Sequence, residues 1–346
     1  MNVITETAAV GEVQISIETG KLAKQSSAVV VRCGETAVLV TAVSSKEPKD
    51  LPFLPLTCEY REYPASAGKI PGGYFKREAR PTEWETLTCR FIDRPIRPLF
   101  PKGYRSDTQI IATVLSHDKV HEPDILAITG ASAALHISDA PWAGPIAGVR
   151  VARVQGKLVA FPSWDQMKVA DILLVVAASR DAIVMVEGGG DQIPEKDMID
   201  ALMFAHESAQ PLLELQERLR EHAGKPKRVH VEPAVDEAFR AEVMAAADAD
   251  VRAAFAITGK HERRDALAAA NKAVIERFAA SHPERTGEVL AALGKLEKKV
   301  VRSRVIKEGR RLDGRGTRDV RPIYIERGIL TWDNDTIEPI DGGRIR

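Results

Sequence analysis

The sequence predicts an α+β or α/β fold built on a mixed sheet, followed by a small all-α domain. Three observations predict it. Short apolar, strand-like runs punctuated by Gly20 and Gly34 fill residues 10–43. Beyond them strands and helices are interspersed without the strict alternation of a βαβ repeat. Between 234 and 306 strand signals stop and the composition turns to Ala, Glu, Lys and Arg.

The totals bound the protein class. A chain of 346 residues has room for two or three domains. With 49 Lys and Arg against 49 Asp and Glu it is charge-neutral, and 44% hydrophobic and 28% charged residues are ordinary for a globular protein. No apolar run reaches the length of a membrane span. The start, MNVITETAAVGEV, lacks the basic region and apolar block of a signal peptide. Cys33, Cys58 and Cys89 are widely spaced without a CxxC, which fits reduced thiols in a cytoplasmic protein rather than disulfides or a metal. His117 and His121 are four apart, but a strand-like run before them and Pro123 after them put both in a loop, so no metal site is expected there.

In chain order, VQISIETG, SAVVVRCG and TAVLVTAV read as a β-meander with Gly34-Glu35 as a tight hairpin turn. Leu56–Tyr60 reads as a short strand. Pro81-Thr82-Glu83 opens a helix, with proline near the first turn and acids at the positive helix end. Trp84, Leu87, Phe91 and Ile92 give that helix its expected apolar face, and Pro95 and Pro98 bend or end it. DTQIIATVLS is a strand. Residues 124–138 are a helix whose small residues at 130–134 allow close packing on the sheet. GPIAGVRVARV, GKLVAFPS and ADILLVVAAS are further strands, and AIVMVEGGG is a buried one. Gly188-Gly189-Gly190 lacks the Lys-Ser/Thr of a P-loop and is expected as a turn before an amphipathic helix over 194–219. Residues 222–233 form a linker by composition. Three helices follow over 234–306, broken near Gly259 and at 281–286. The cations Lys295, Lys298, Lys299, Arg302, Arg304 and Lys307 near their end read as a solvated helix face or an RNA contact.

The stretch with most chemistry is 69–105, which holds nine Lys and Arg against four Asp and Glu. Pro71-Gly72-Gly73 makes a turn or loop. It presents Tyr74, Phe75, Lys76 and Arg77, two aromatics followed by two cations. Rings stack on bases at about 1–3 kcal/mol each, and cations hold phosphates, so this loop suits single-stranded nucleic acid. Arg80 follows it, and Arg90, Arg94 and Arg97 at steps of four and three extend the basic surface along the helix. The same residues also read as a solvated basic face beside Glu83, Glu85 and Asp93.

GGYFKREARPTEWETLTCRFIDRPIRPLFPKGY resembles the first RNase PH-type core of bacterial polynucleotide phosphorylases (polyribonucleotide nucleotidyltransferases). That family carries an aromatic-aromatic-basic-basic loop here, at the entrance of a central channel. Tyr74, Phe75, Lys76 and Arg77 take those positions, with Tyr74 and Lys76 as conservative variants, and IDRPIRPLFP matches closely. The resemblance covers residues 1–323. It implies an RNase PH-like core with ribosomal-S5-like β-α units over 1–225, the family's all-α domain over 234–306, and the divergent start of a second core over 308–346, where Asp313-Gly314-Arg315 is a turn in the expected place. TWDNDTIEPIDGGRIR at the end is polar and turn-rich.

The resemblance further implies 3′-to-5′ phosphorolysis: inorganic phosphate attacks the 3′-terminal phosphodiester of single-stranded RNA and releases a nucleoside diphosphate, with Mg2+ as cofactor, in a homotrimer that is expected to be weakened or altered for this chain. It places the phosphate- and metal-binding residues in the second core, at positions beyond Arg346. No catalytic or metal-ligating residue is therefore assigned within this sequence. The alternative is an RNA-binding and assembly module without catalysis, or an aggregation-prone product. No motif singles out an RNA-degradosome partner.

If the loop grips RNA, Phe75→Ala with Arg77→Ala weakens binding and lowers its salt slope by about 0.7 for the one phosphate contact removed. Filter binding of a single-stranded RNA across a salt series checks it. An unchanged affinity and slope removes the loop from the interface.

Overall fold

The computed structural model describes residues 3–70, 80–232, 234–319 and the strands at 323–325, 328–333 and 336–340. The expected RNA-gripping residues Tyr74, Phe75, Lys76 and Arg77 lie outside the described residues. The chain forms two compact units, Met1–Pro233 and Ala234–Arg346.

In the first unit a six-stranded sheet runs β1 (Ile4–Val10), β2 (Val13–Thr19), β3 (Ser27–Cys33), β4 (Thr36–Pro48), β6 (Ser106–Ser116), β5 (Leu56–Arg61). Only β5 against β6 is parallel. The hairpin at Gly34-Glu35 forms as expected, with Cys33 opposite Thr36. Gly34 has φ +56°, and a Cβ there would meet the side chains of Asp118 and His121 at 2.8–2.9 Å, so glycine is required on two counts. A second, wholly antiparallel sheet runs β10 (Ile183–Gly190), β9 (Ile172–Ala178), β7 (Ala147–Val154), β8 (Lys157–Ala160).

Between the sheets lies α2 (Pro123–Ile137), and all fifteen of its residues are buried. It packs on β3 and β4 on one side and β7 on the other, beside α4 (Glu195–Ala223). A helix apolar all round belongs in such a place. Its small residues do what the sequence suggested: a Cβ on Gly130 would stand 2.6 Å from Val40 Cγ2 and 3.0 Å from Val31 Cγ2. On the other side Gly148 of β7 lets that strand pass Ile128, 2.8 Å from where a Cβ would sit.

Four expectations change. The AIVMVEGGG strand is exposed rather than buried beyond Met185, because β10 is the edge of its sheet. Gly188, Gly189 and Gly190 are not a turn; they belong to β10 and pair with Leu174, Leu173 and Ile172. Gly188 has φ +147°, and a Cβ there would lie 2.2 Å from the Leu173 carbonyl oxygen. The amphipathic helix continues past 219 to Ala223, since Leu219 is still buried. The compositional linker is tied down: the Lys225 and Arg228 amides donate to the Ile137 and Asp139 carbonyls, and Lys227 Nζ donates to the Leu135 and Ser138 carbonyls at 2.7 and 2.9 Å, satisfying the C-terminal end of α2. The short helix α3 (Trp164–Lys168), capped by Ser163, carries too weak a period to be read in advance.

The second unit packs α5 (Glu237–Ala256), α6 (Lys260–Ser281) and α7 (Thr286–Glu308) around Phe239, Val243, Val251, Phe278, Leu293 and Leu296. The breaks fall where the sequence put them. Asp236 caps α5 through the Phe239 amide at 3.0 Å. The Arg285 guanidinium covers the Phe239 ring at 3.7 Å and pairs with Asp236 and Glu288. Beyond residue 319 the chain also forms β11 (Ile323–Ile325), β12 (Gly328–Asp333) and β13 (Thr336–Ile340), an antiparallel meander whose last part falls in the stretch from 331 read as polar and turn-rich.

Because Gly130 is wedged between buried valines, Gly130→Val lowers the unfolding free energy by about 2 kcal/mol or more through overpacking. Chemical denaturation checks it; a loss within the range of ordinary surface substitutions would mean that α2 does not depend on this close approach.

Candidate nucleic-acid interface

The arginines of the basic stretch are positioned by α1 (Glu83–Ile96). Its start is fixed by a capping box. The Glu85 amide donates to Thr82 Oγ1 at 3.1 Å, and the Thr82 amide donates to Glu85 Oε2 at 2.6 Å. Glu85 Oε1 also accepts the Glu62 amide at 3.0 Å, tying the helix to the segment after β5. Glu85 is therefore buried despite its charge.

This cap sets the helix rotation, and the expected apolar face holds only in part: Ile92 is buried and Phe91 packs against the core, but Trp84 and Leu87 do not. The buried face is Glu85, Thr88, Ile92, Pro95 and Ile96. Trp84 and Leu87 point outward, 43% and 40% exposed. At 100° per residue, Trp84, Leu87, Arg90 and Arg94 share one outer arc. The exposed face of α1 therefore mixes an indole with guanidiniums. That combination offers stacking and phosphate contacts on one surface.

The four predicted arginines do not act alike. Arg80 and Arg90 are exposed and make no ion pair among the described residues. Arg94 is paired with Glu187 on the exposed edge strand β10. Arg97 is used internally: it makes a two-pronged pair with Asp93 at 2.6 and 3.0 Å, and it donates to the Leu54 and Leu56 carbonyls at 3.0 and 3.1 Å. It pins the approach to β5 against α1. Pro95 ends the row by allowing the chain to tighten into a short 3-10 turn at Arg97–Leu99.

Two polar clusters come together that no spacing in the sequence announces. At the hairpin, Asp118 Oδ2 meets His121 Nδ1 at 2.7 Å and the Glu35 amide at 3.2 Å, close to Cys33. Burial pushes the Asp118 carboxyl up, but hydrogen bonds from His121, Val120 and Thr36 outweigh it and hold the group below the usual carboxylate range. Cys33 is 1% exposed and burial pushes its thiol up to about 11, so the trio is a structural lock and no nucleophile. Burial likewise raises the thiols of Cys58 and Cys89.

The second cluster gathers at the start of α2. Arg150 pairs with the fully buried Asp124 at 2.6 Å and lies 3.9 Å from Glu122. Glu62 accepts from Tyr60 at 3.2 Å and lies 3.4 Å from His117. Burial, with the neighbouring Asp124 charge, lifts the Glu122 carboxyl to about 7. Among the described residues no group of three or more His, Cys, Asp or Glu is arranged to hold a metal ion. These residues therefore do not fit a magnesium site. No helix among the described residues is long and apolar enough to cross a membrane.

Comparison with known proteins fits this architecture. Residues 14–141 match the family model for domain 1 of the 3′ exoribonuclease family, and 144–208 match domain 2. Together they cover more than half of the chain, and the chain belongs to that family, with an RNase PH fold. Residues 238–316 match the polyribonucleotide nucleotidyltransferase RNA binding domain. The sequence is 51% identical over 333 residues to the polyribonucleotide nucleotidyltransferase of Sorangium cellulosum, covering 94% of this chain and 44% of that protein. It is 49% identical over 318 residues to that of Geobacter sulfurreducens, covering 91% and 46%. It is 50% identical over 322 residues to that of Pelobacter propionicus, covering 92% and 46%. Within the family, then, the chain matches the N-terminal part of polyribonucleotide nucleotidyltransferases and spans less than half the length of these curated relatives.

Glu122 yields a pH prediction. Its folded pKa of about 7 lies above its ordinary value of 4.5, so between those values the folded state binds the extra proton. Its contribution is favourable at low pH and is lost as pH rises through 7. With the side chain 14% exposed, Glu122→Gln should gain about 1–3 kcal/mol relative to the parent at pH 8, and much less at pH 5. Denaturation at both pH values checks it; an equal effect at both would mean that Glu122 is not protonated on folding.

Proposed function

We propose that this chain supplies the RNA-holding and scaffold half of a polyribonucleotide nucleotidyltransferase, acting in 3′-to-5′ phosphorolytic degradation of RNA. In this reading inorganic phosphate is the co-substrate, nucleoside diphosphates are released, and Mg2+ serves at residues outside this sequence. Residues 1–225 are the first RNase PH-like core, 234–306 the all-α domain and 308–346 the start of a second core. The family's assembly is a cytoplasmic homotrimer, weakened or altered for this chain alone, with single-stranded RNA entering 3′ end first.

The observation that carries the reading is the outer face of α1. There Trp84 and Arg90, the latter unpaired among the described residues, stand together beyond Arg80, with Arg94 beside them on Glu187, immediately after the Tyr74–Arg77 segment in sequence. A flexible single strand is held by rings and cations in succession, with little demand on base identity. Arg97 is the weakest member of the predicted set, since its donors already serve Asp93 and two carbonyls. The exposed Lys295, Lys298, Lys299, Arg302 and Lys307 of α7 offer a further cationic row in the second unit. Arg304 is turned to the Phe255 carbonyl and Glu308 instead.

The test is an assay of purified chain with poly(A) RNA and magnesium, with and without inorganic phosphate, reading nucleoside diphosphate release alongside RNA binding. RNA binding without release is expected from this half alone. Release that depends on phosphate would mean that these residues carry the chemistry themselves. Failure to bind RNA would overturn the proposal.

A further inference from the structure

A cleft of about 580 Å3 opens on the first unit, and none of the arginines of α1 lines it. Its walls are the end of β4, the turn before β6, and the tied-down strap at 228–230. Lys46, Lys49, Arg105 and Arg228 line it, and Asp50 is the carboxylate among its described lining residues. Lys46 and Arg105 are exposed and make no ion pair among the described residues. Lys49 shares its charge with Asp107 at 2.7 Å.

Arg228 is the built part of the site. Its Nη1 donates to the Ser45 carbonyl at 2.6 Å and its Nη2 to Tyr104 Oη at 3.0 Å, while Nε lies 3.4 Å from Asp139. Tyr104 is itself stacked on Phe100 at 5.4 Å. The guanidinium is thus fixed on a rigid floor, yet 24% of its side chain remains open. Preorganised cations cost little entropy to engage an anion. The lining also has apolar members, Pro48, Pro141 and Val229, the last 92% exposed, beside the polar Ser106. His230 closes one end, its ring edge-on to Tyr104 and its Nε2 2.9 Å from the Lys102 carbonyl.

We propose that this cleft binds a nucleotide, with its phosphate on Lys46 and Arg105 above the floor that Arg228 holds in place, and its nucleoside on the proline and valine wall. Cations on one side and apolar surface on the other match the two ends of that ligand, and the volume is of the size that small-molecule sites have. Either a free nucleoside diphosphate or a phosphodiester of an RNA strand presents this chemistry. The inference does not rest on the α1 face.

The experiment titrates the full chain by calorimetry with ADP, adenosine, inorganic phosphate and a short oligo(A). The variants are Lys46→Ala with Arg105→Ala, both exposed side chains, and Lys157→Ala with Lys196→Ala as a charge-matched control outside the cleft. ADP is expected to bind saturably and more tightly than adenosine or phosphate. The cleft variant should weaken it about tenfold or more by loss of two charge-assisted contacts, and the control should not. Loss confined to oligo(A) supports the site with the phosphate arriving on a strand. Adenosine binding as tightly as ADP overturns the proposal, and so do ADP and oligo(A) affinities that the cleft variant leaves unchanged.

Discussion

The burial of α2 on every side is the constraint from which the first unit follows. A helix held between two sheets has no solvent to satisfy its polar groups, so each needs a partner from the surrounding elements. Thr129 Oγ1 accepts the Gly148 amide of β7 at 3.0 Å. Ser132 donates to Gln216 at 2.6 Å and accepts the Ile146 amide at 2.9 Å, while Gln216 donates to the Ile146 and Leu212 carbonyls. His136 meets Glu217 at 3.1 Å, and Lys227 takes the helix's last carbonyls. The elements that supply these partners are thereby fixed in register around one helix. The buried Asp124–Arg150 pair is of the same kind: its own net contribution is small, but loss of either member would leave a charge unpaired.

That rigidity reaches the surface through the strap after α4. Its cations serve backbone carbonyls, and Arg228 also lies 3.4 Å from Asp139. Burial, with the nearby Arg220 charge, lowers the Lys227 ammonium to about 8. Arg228 is held the same way, on the Ser44 and Ser45 carbonyls. A segment whose composition reads as a free linker thus becomes a wall of a cleft.

On α1 the decisive device is local. The capping box commits Glu85 to the helix start and to the Glu62 amide, and the rotation that this imposes turns Trp84 and Leu87 outward. Of the expected face Trp84, Leu87, Phe91 and Ile92, the last two reach the core, while Glu85 and Thr88 are buried in place of Trp84 and Leu87. A charged side chain with every acceptor satisfied can be enclosed. An apolar residue at the surface of a basic helix face then becomes a candidate for base stacking rather than for the core.

Local patterns were enough to determine much of this protein. The Gly34-Glu35 hairpin, the α2 packing helix, the three helices of the second unit and their breaks at Gly259 and 281–286 all follow from periodicity, turn chemistry and small-residue runs, which act over a few neighbouring residues. The basic-aromatic stretch and IDRPIRPLFP were likewise enough to indicate the family. Tertiary structure alone decided which arginines stay available, since Glu187 and Asp93 reach Arg94 and Arg97 only once β10 and α1 have folded. It also decided that Gly188–Gly190 form a strand, because the Leu173–Leu174 backbone leaves no room for a Cβ at Gly188. It assembled the Glu62–Glu122–Asp124–Arg150 cluster and the cleft at Arg228 from segments far apart in the chain. Such contacts depend on how sheets stack and strands pair over long separations, and no local period records them.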